Sequence, residues 1–121
     1  YLAPLALGVW PLESAATLSL NTWYNIVFTR SGNENKLYIN GALDNSATST
    51  GSISSSTGSL TIGAYGGSSY FWEGNIDEVA IFDYALDSDQ VDEIYNATSS
   101  GKTADLSNMA TPPVAWYRMG D

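Results

Sequence analysis

The Asn-Gly pair at Asn40-Gly41 constrains this sequence more than any other feature. Tight two-residue hairpin turns favour Asn-Gly because both turn residues must adopt positive φ angles. The segments that precede it, Trp23 to Arg30 and Lys36 to Ile39, are rich in aromatic and β-branched residues, which is typical of strands. The pattern therefore predicts consecutive antiparallel strands, with a return strand that begins at Ala42.

The rest of the chain continues with short strand patterns separated by Ser, Thr and Gly. Ser46 to Ser59 is predicted to be an exposed edge and loop, since it holds few large apolar residues. Ser59 to Gly63 and Gly74 to Phe82 have the alternation and composition of strands. Such a series of short strands indicates an all-β sandwich or barrel rather than a parallel α/β sheet.

One short helix is predicted from Ser88 to Asn96, near the C-terminal end of the pattern. Asp87 and Gln90 have the spacing of a capping box, in which each side chain bonds the backbone N–H of the other residue. Leu86 and Val91 stand where a hydrophobic staple would lie. The helix therefore has a defined start and an apolar side that faces the core.

Composition and charge exclude several classes of function. The chain has 13 acidic and 4 basic residues and a net charge of −9, so neither nucleic acid nor an anionic membrane surface is an expected partner. It contains no His and no Cys, which argues against zinc sites, disulfides and histidine-based catalysis. No apolar run approaches the roughly 20 residues of a membrane span, so membrane insertion is not expected.

Three segments, taken in order, resemble laminin-G-like domains of the concanavalin A-like superfamily. They are Asn21 to Arg30, Lys36 to Gly41, and Phe71 to Phe82 with the continuing Tyr84-Ala85-Leu86. The resemblance implies a two-sheet jelly-roll sandwich with one short C-terminal helix. The Asn-, Ser- and Gly-rich composition also resembles that of bacteriophage structural and adhesion proteins.

The same resemblance divides the chain into three parts. Residues 1–96 are expected to form the laminin-G-like sandwich, which looks N-terminally incomplete because few residues precede Trp23. Residues 97–113 are small and polar, end in Pro112-Pro113 and are predicted to be a linker. Residues 114–121 are either a closing strand or the start of a following domain, since Trp116 to Asp121 resembles the opening strand of another such domain.

Aromatic and amide residues in predicted loops are the candidates for ligand binding, because sugar sites combine exposed aromatic faces with polar partners. The candidates are Tyr65, Tyr70, Trp10, Asn33 and Asn35. Asn33 and Asn35 also fit simple turn chemistry. Phe71 and Trp72 are expected in the core, because they match a packing position of the resembling family.

Carboxylates suggest a calcium site, since Ca²⁺ prefers several oxygen ligands. The candidate ligands are Asp77, Glu78 and Asp44. Asp77 and Glu78 also fit a structural role, in which buried hydrogen bonds hold one of them in a strand, and Asp44 also fits simple turn chemistry. Some glycosidases of the same superfamily align catalytic carboxylates on one strand face. Here Glu73 and Asp77 could share a face, but Glu78 falls on the other, so no catalysis is expected.

The sequence thus predicts a non-catalytic surface-recognition module that binds carbohydrate or a cell surface, within a viral or adhesin structural protein. Its partner would be a glycan or host-surface ligand, with Ca²⁺ as a possible cofactor. The alternative is a purely structural capsid decoration or fibre subunit that binds other virion subunits. In either case we expect an extracellular or virion-surface location and an oligomer or larger assembly.

Overall fold

The computed structural model describes residues 12–50, 57–64, 71–99 and 104–119. Within these ranges five strands, one α-helix and one 3-10 turn follow each other along the chain. They are β1 (Ile26–Ser31), β2 (Glu34–Ile39), β3 (Ala42–Thr48), β4 (Val79–Ile81), α1 (Ser88–Ser99), the 3-10 turn (Leu106–Asn108) and β5 (Ala115–Tyr117).

The predicted hairpin forms the first sheet, with strand order β1-β2-β3 and antiparallel pairing throughout. Asn40 and Gly41 make the turn between β2 and β3 with φ angles of 51° and 81°, as the sequence predicts. Asn40 also ties the end of the hairpin to β1. Its backbone N–H donates to Asn25 O at 2.9 Å, and its Oδ1 accepts from Asn25 N at 3.0 Å. The return strand begins at Ala42, which confirms the prediction.

A second sheet pairs β4 with β5 in antiparallel register, with Ala80 opposite Trp116. The strand predicted from Gly74 to Phe82 is shorter in the structure, because Glu78 has a φ of 52° that interrupts the extended backbone. The strand predicted from Ser59 to Gly63 is not present, and Gly63 has a positive φ of 76°. The antiparallel sheets and the short helix agree with the predicted mostly-β class, while the complete jelly-roll topology stays a prediction.

The helix α1 begins where the capping box predicts. Asp87 N–H donates to Gln90 Oε1 at 3.0 Å, and Gln90 N–H donates to Asp87 Oδ1 at 2.8 Å. Leu86 and Val91 are both buried. The helix extends to Ser99, three residues beyond the predicted end.

The core lies between α1 and the two sheets and includes part of the predicted linker. Its buried members are Tyr38, Leu86, Val91, Ile94, Ala104 and Leu106. The expectation of a linker over residues 97–113 therefore differs from the structure, because α1 reaches into this stretch and Ala104 and Leu106 pack in the core. Two isolated apolar residues in a polar stretch have no periodicity, so the sequence did not indicate their burial.

None of the helices in the described ranges has the length and apolar character that crossing a membrane requires.

Candidate functional site

A groove of about 410 Å³ opens along the outer edge of β1. Residues 25–30 form one wall, and Glu78, Ala80 and Phe82 contribute to the lining from β4 and its ends. The buried side chains Leu86, Ile94 and Leu106 also line it. Arg30, Glu78 and Asp83 add charge to the lining, so the groove combines an apolar interior with a charged lip.

Phe71 and Trp72 are exposed rather than buried, which corrects the expectation that they belong to the core. Trp72 is 52% exposed and Phe71 is 66% exposed. Trp72 is nevertheless held in place by two hydrogen bonds. Its backbone N–H donates to Gly63 O at 2.8 Å and its indole Nε1 donates to Asn75 O at 3.3 Å. The arrangement presents an anchored aromatic ring at the surface.

Gly74 fits closely against the edge of the Trp72 indole. A Cβ added at Gly74 would lie 2.9 Å from Trp72 Nε1, so a larger residue there would displace the ring. Glu73 and Asn75 flank the ring in sequence and are both exposed. An indole with a neighbouring carboxylate and amide is a set that can stack on a ligand and bond its hydroxyl groups.

Tyr65, Tyr70 and Trp10, the aromatic candidates from the sequence, lie outside the described residues. Tyr70 directly precedes Phe71 in the chain, and Tyr65 directly follows the described segment 57–64. Their part in ligand binding stays a prediction.

The two candidate asparagines occupy different environments. Asn33 is exposed in the Gly32-Asn33 turn between β1 and β2. Asn35, which was expected on the loop, lies within β2 and is 3% exposed. Its Nδ2 donates to Ser49 Oγ at 2.8 Å and to Ala47 O at 3.2 Å, so its amide ties β2 to the end of β3. The turn is shorter than predicted, and this moves Asn35 from the rim to the interior.

The three candidate calcium ligands do not form one cluster. In the described part of the chain, no three carboxylate, His or Cys side chains are grouped as a metal site would require. Asp44 lies within β3 rather than on a loop, and accepts from Ala15 N at 2.8 Å and Ala16 N at 3.0 Å. Asp77 Oδ1 accepts from the N–H of Glu78 at 2.9 Å. Calcium binding through any one of them stays a prediction.

Glu78 takes part in a cluster that sequence reasoning missed. Its Oε2 accepts from Trp116 Nε1 at 2.6 Å, and its Oε1 lies 3.7 Å from Arg118 Nε. The Arg118 guanidinium carbon stands 4.9 Å from the centroid of the Trp116 ring. The partners are far apart in the sequence, and no local pattern links them.

A laminin-G-type family model, described as the concanavalin A-like lectin/glucanases superfamily, matches residues 8–92. The chain belongs to this superfamily. Laminin-G-like members of the superfamily are typically non-catalytic binding modules. The matched range contains the Trp72 turn and most of the lining of the β1 groove, except Ile94 and Leu106.

One solved structure supports the same assignment. It is a 2.1 Å crystal structure of residues 221–444 of an S-layer domain-containing protein from Clostridium thermocellum ATCC 27405. The two chains are 25% identical and superpose with a TM-score of 0.54. The match covers 71% of the present chain and 45% of that structure. This chain therefore spans less than half of the related structure. A search of curated proteins gives no significant match.

Proposed function

We propose that this chain is a non-catalytic recognition module that binds carbohydrate on an extracellular surface through the exposed turn around Trp72. The observation that carries the proposal is the anchored but exposed indole of Trp72, 52% exposed and bonded through Nε1 to Asn75 O. An aromatic ring that is already fixed loses little conformational entropy when a ligand stacks on it. Membership of a superfamily that contains lectins favours the same function.

Neighbouring residues suit a polar ligand. Phe71 extends the aromatic surface beside Trp72, and the exposed Glu73 and Asn75 offer a carboxylate and an amide for sugar hydroxyls. Of the predicted ligand contacts, Tyr70 directly precedes Phe71 in the chain, and Tyr65 closely follows Gly63, whose carbonyl accepts from the Trp72 N–H. The S-layer domain in the related protein supports an extracellular, surface-associated setting.

A glycan array tests the proposal, with the wild-type chain and the variant Trp72→Ala. We expect wild-type binding to a subset of glycans and a loss of at least about tenfold in affinity for the variant, consistent with removal of a central aromatic contact. Trp23→Ala is the matched control, because Trp23 is also exposed, at 65%, but precedes β1 in another part of the chain. Equal binding by wild type and Trp72→Ala would overturn the assignment of this site.

Repeating the array with EDTA tests calcium dependence separately from the aromatic contact. A loss of binding in EDTA that added Ca²⁺ restores would favour a cation near the ligand, with Asp77 as the first candidate for substitution. Glycans that bind should also be recovered intact after incubation, because the proposed module is non-catalytic. Release of a reducing end would contradict that part of the proposal.

A second candidate function is a structural subunit that binds other protein subunits. The observation that favours it is the number of large apolar side chains at the surface, among them Leu20 at 90% and Leu60 at 72% exposure. Where such residues form one contiguous patch, they often mark a protein interface. Sedimentation velocity over a range of protein concentrations tests this function, and a monomer at every concentration would count against self-assembly.

A further inference from the structure

The outer edge of β1 presents backbone groups without a sheet partner. Asn40 N–H donates to Asn25 O, so Asn25 and Asn40 form a hydrogen-bonded pair. Such pairs alternate in an antiparallel ladder, which places Val27 opposite Tyr38 in the next bonded pair. The N–H and C=O groups of Ile26 and Phe28 therefore point away from β2. Within the described ranges β1 is an edge strand, and no residue pairs with these groups.

Ile26 and Phe28 both line the 410 Å³ groove, so their unpaired backbone groups lie along a concave surface. Its volume falls within the range of about 300–1,000 Å³ that is typical of ligand pockets. Ala80 and Phe82 line it beyond β1, and Leu86, Ile94 and Leu106 supply buried apolar surface. A ligand that fills the groove must therefore satisfy backbone hydrogen bonds on one side and cover apolar side chains on the other.

An extended polypeptide meets both demands at once. Its backbone can continue the ladder at Ile26 and Phe28, while alternate side chains turn toward the apolar lining. β1 has six residues, which corresponds to a bound strand of about 20 Å. A sugar offers hydroxyl groups but no apolar side chains at strand spacing, so the groove fits it less well than the Trp72 turn does.

The charge of the protein indicates which kind of extended segment would bind beside β1. Glu78, Asp83 and Arg30 all lie at the groove. Glu78 is also paired with Arg118, so the lining by itself has little net charge. The chain as a whole, however, carries a net charge of −9. A second copy of the chain would bring another −9 to the same interface, whereas a basic strand would gain from the field of the protein. The net charge of the protein therefore favours a cationic partner.

We propose that β1 is a docking edge for an extended segment of another protein, with apolar residues at alternate positions and Lys or Arg between them. The segment adds a strand next to β1 and covers the apolar lining of the groove. This surface is separate from the Trp72 turn, and the inference does not rest on carbohydrate binding.

Amide hydrogen exchange with a synthetic peptide tests the proposal. The probe is a short peptide that alternates valine with lysine and threonine. At saturation we expect it to slow the exchange of the Ile26 and Phe28 amides by at least about tenfold, because edge amides exchange quickly until they are paired. The same peptide with glutamate in place of lysine should bind weakly.

Two N-methylated forms of the peptide provide the matched control. They have the same composition but carry the methyl groups on opposite sets of alternate amides, and only one set faces β1 in a ladder. We expect one form to lose binding and the other to keep it. Equal behaviour of the two forms, or unchanged exchange at Ile26 and Phe28, would overturn the docking of a strand.

The variant Ile26→Pro gives a second check on the protein side. It removes an outward N–H without removing a bond to β2, and edge strands tolerate proline at such positions. We expect loss of peptide binding, with the Tyr38 amide still protected as a sign that β1 and β2 remain paired. Trp72→Ala should bind the peptide as the wild type does. Protection of Ile26 that grows with protein concentration in the absence of peptide would instead indicate a second copy of the chain and overturn the basic partner.

Discussion

The indole Nε1 of Trp116 donates a 2.6 Å hydrogen bond to Oε2 of Glu78, which is 38 residues earlier in the chain. The bond joins β5 to the residue that directly precedes β4. Glu78 adopts a φ of 52°, a left-handed conformation that costs a non-glycine residue about 1–2 kcal/mol. The bond to Trp116 and the ion pair with Arg118 help to offset this cost, so the three residues stabilise the second sheet together.

We expect Glu78→Ala to lower the free energy of unfolding by roughly 1–3 kcal/mol, because the part-buried Trp116 N–H loses its acceptor. Glu78→Gln keeps an acceptor oxygen and should have a smaller effect, since an ion pair with the exposed Arg118 contributes about 0–1 kcal/mol. Urea unfolding monitored by tryptophan fluorescence measures both variants. Glu93→Gln, at an exposed carboxylate of α1, is the control for loss of charge.

A double-mutant cycle isolates the hydrogen bond from the other contacts of each residue. Glu78→Ala and Trp116→Phe should show a coupling energy of about 0.5–3 kcal/mol, as expected for residues in direct contact. Additive effects of the two substitutions would mean that the bond contributes nothing to stability in solution.

Local interactions could be predicted from the sequence, and they include the hairpin and the helix start. The Asn40-Gly41 turn needs only its own two residues to adopt positive φ, and the capping box needs only Asp87 and Gln90. Both features therefore appear in the sequence at the position where the structure has them. The order of the strand blocks predicted the superfamily for the same reason, because each block is a local pattern.

Features that depend on distant contacts could not be predicted in this way. Asn35 can be buried because Ala47 on β3 and Ser49, just after β3, accept its amide protons. Leu106 is buried because it packs with the core, although its neighbours in sequence are polar. The family's packing position and the usual burial of tryptophan both predict Trp72 in the core, and only the fold places it at the surface.

The capping box makes a prediction about α1. Asp87→Ala should lower the free energy of unfolding by about 1 kcal/mol, because the N–H of Gln90 loses its acceptor at the start of the helix. The effect should reach the core, since α1 carries the fully buried Val91. Ser88→Ala is the control in the same turn, and thermal unfolding by circular dichroism measures both. A loss for Ser88→Ala as large as that for Asp87→Ala would argue against the specific role of the cap.

The ionisation of Asp105 makes the free energy of unfolding depend on pH in the acidic range. The Ser107 hydroxyl and the Ser107 backbone N–H both donate to its carboxylate, and they hold the pKa of Asp105 below its ordinary value. A carboxylate with a lowered pKa in the folded state adds stability that is present above its unfolded pKa and is lost as pH falls through its folded pKa. The loss should therefore begin near the ordinary pKa of about 4 and be complete below the folded value.

The variant Asp105→Asn checks this contribution. Its free energy of unfolding should be lower than that of the wild type near neutral pH, and the difference should shrink as pH falls below about 4. Urea unfolding at a series of pH values measures the difference. A difference that stays constant across the acidic range would mean that ionisation of Asp105 is not linked to folding.

Gly41 lies against α1, which makes the hairpin turn sensitive to any side chain. A Cβ added at Gly41 would lie 2.8 Å from Tyr95 Cδ1, closer than real Cβ contacts allow. Gly32, in the turn between β1 and β2, also has a positive φ, of 57°, but a Cβ there would have nothing within 4 Å. The two glycines thus separate the backbone cost of a left-handed residue from the cost of a clash.

Gly32→Ala should lower the free energy of unfolding by about 1–2 kcal/mol, which is the backbone cost alone. Gly41→Ala should lower it further, because the turn or the Tyr95 ring must also move. Urea unfolding of both variants measures the difference, and repeating Gly41→Ala in a Tyr95→Ala background assigns its cause. In that background the ring is absent, so Gly41→Ala should lower the free energy of unfolding by about as much as Gly32→Ala does. If Gly41→Ala lowers the free energy of unfolding by the same amount with and without the Tyr95 ring, the contact between α1 and the hairpin does not contribute to the cost of this substitution.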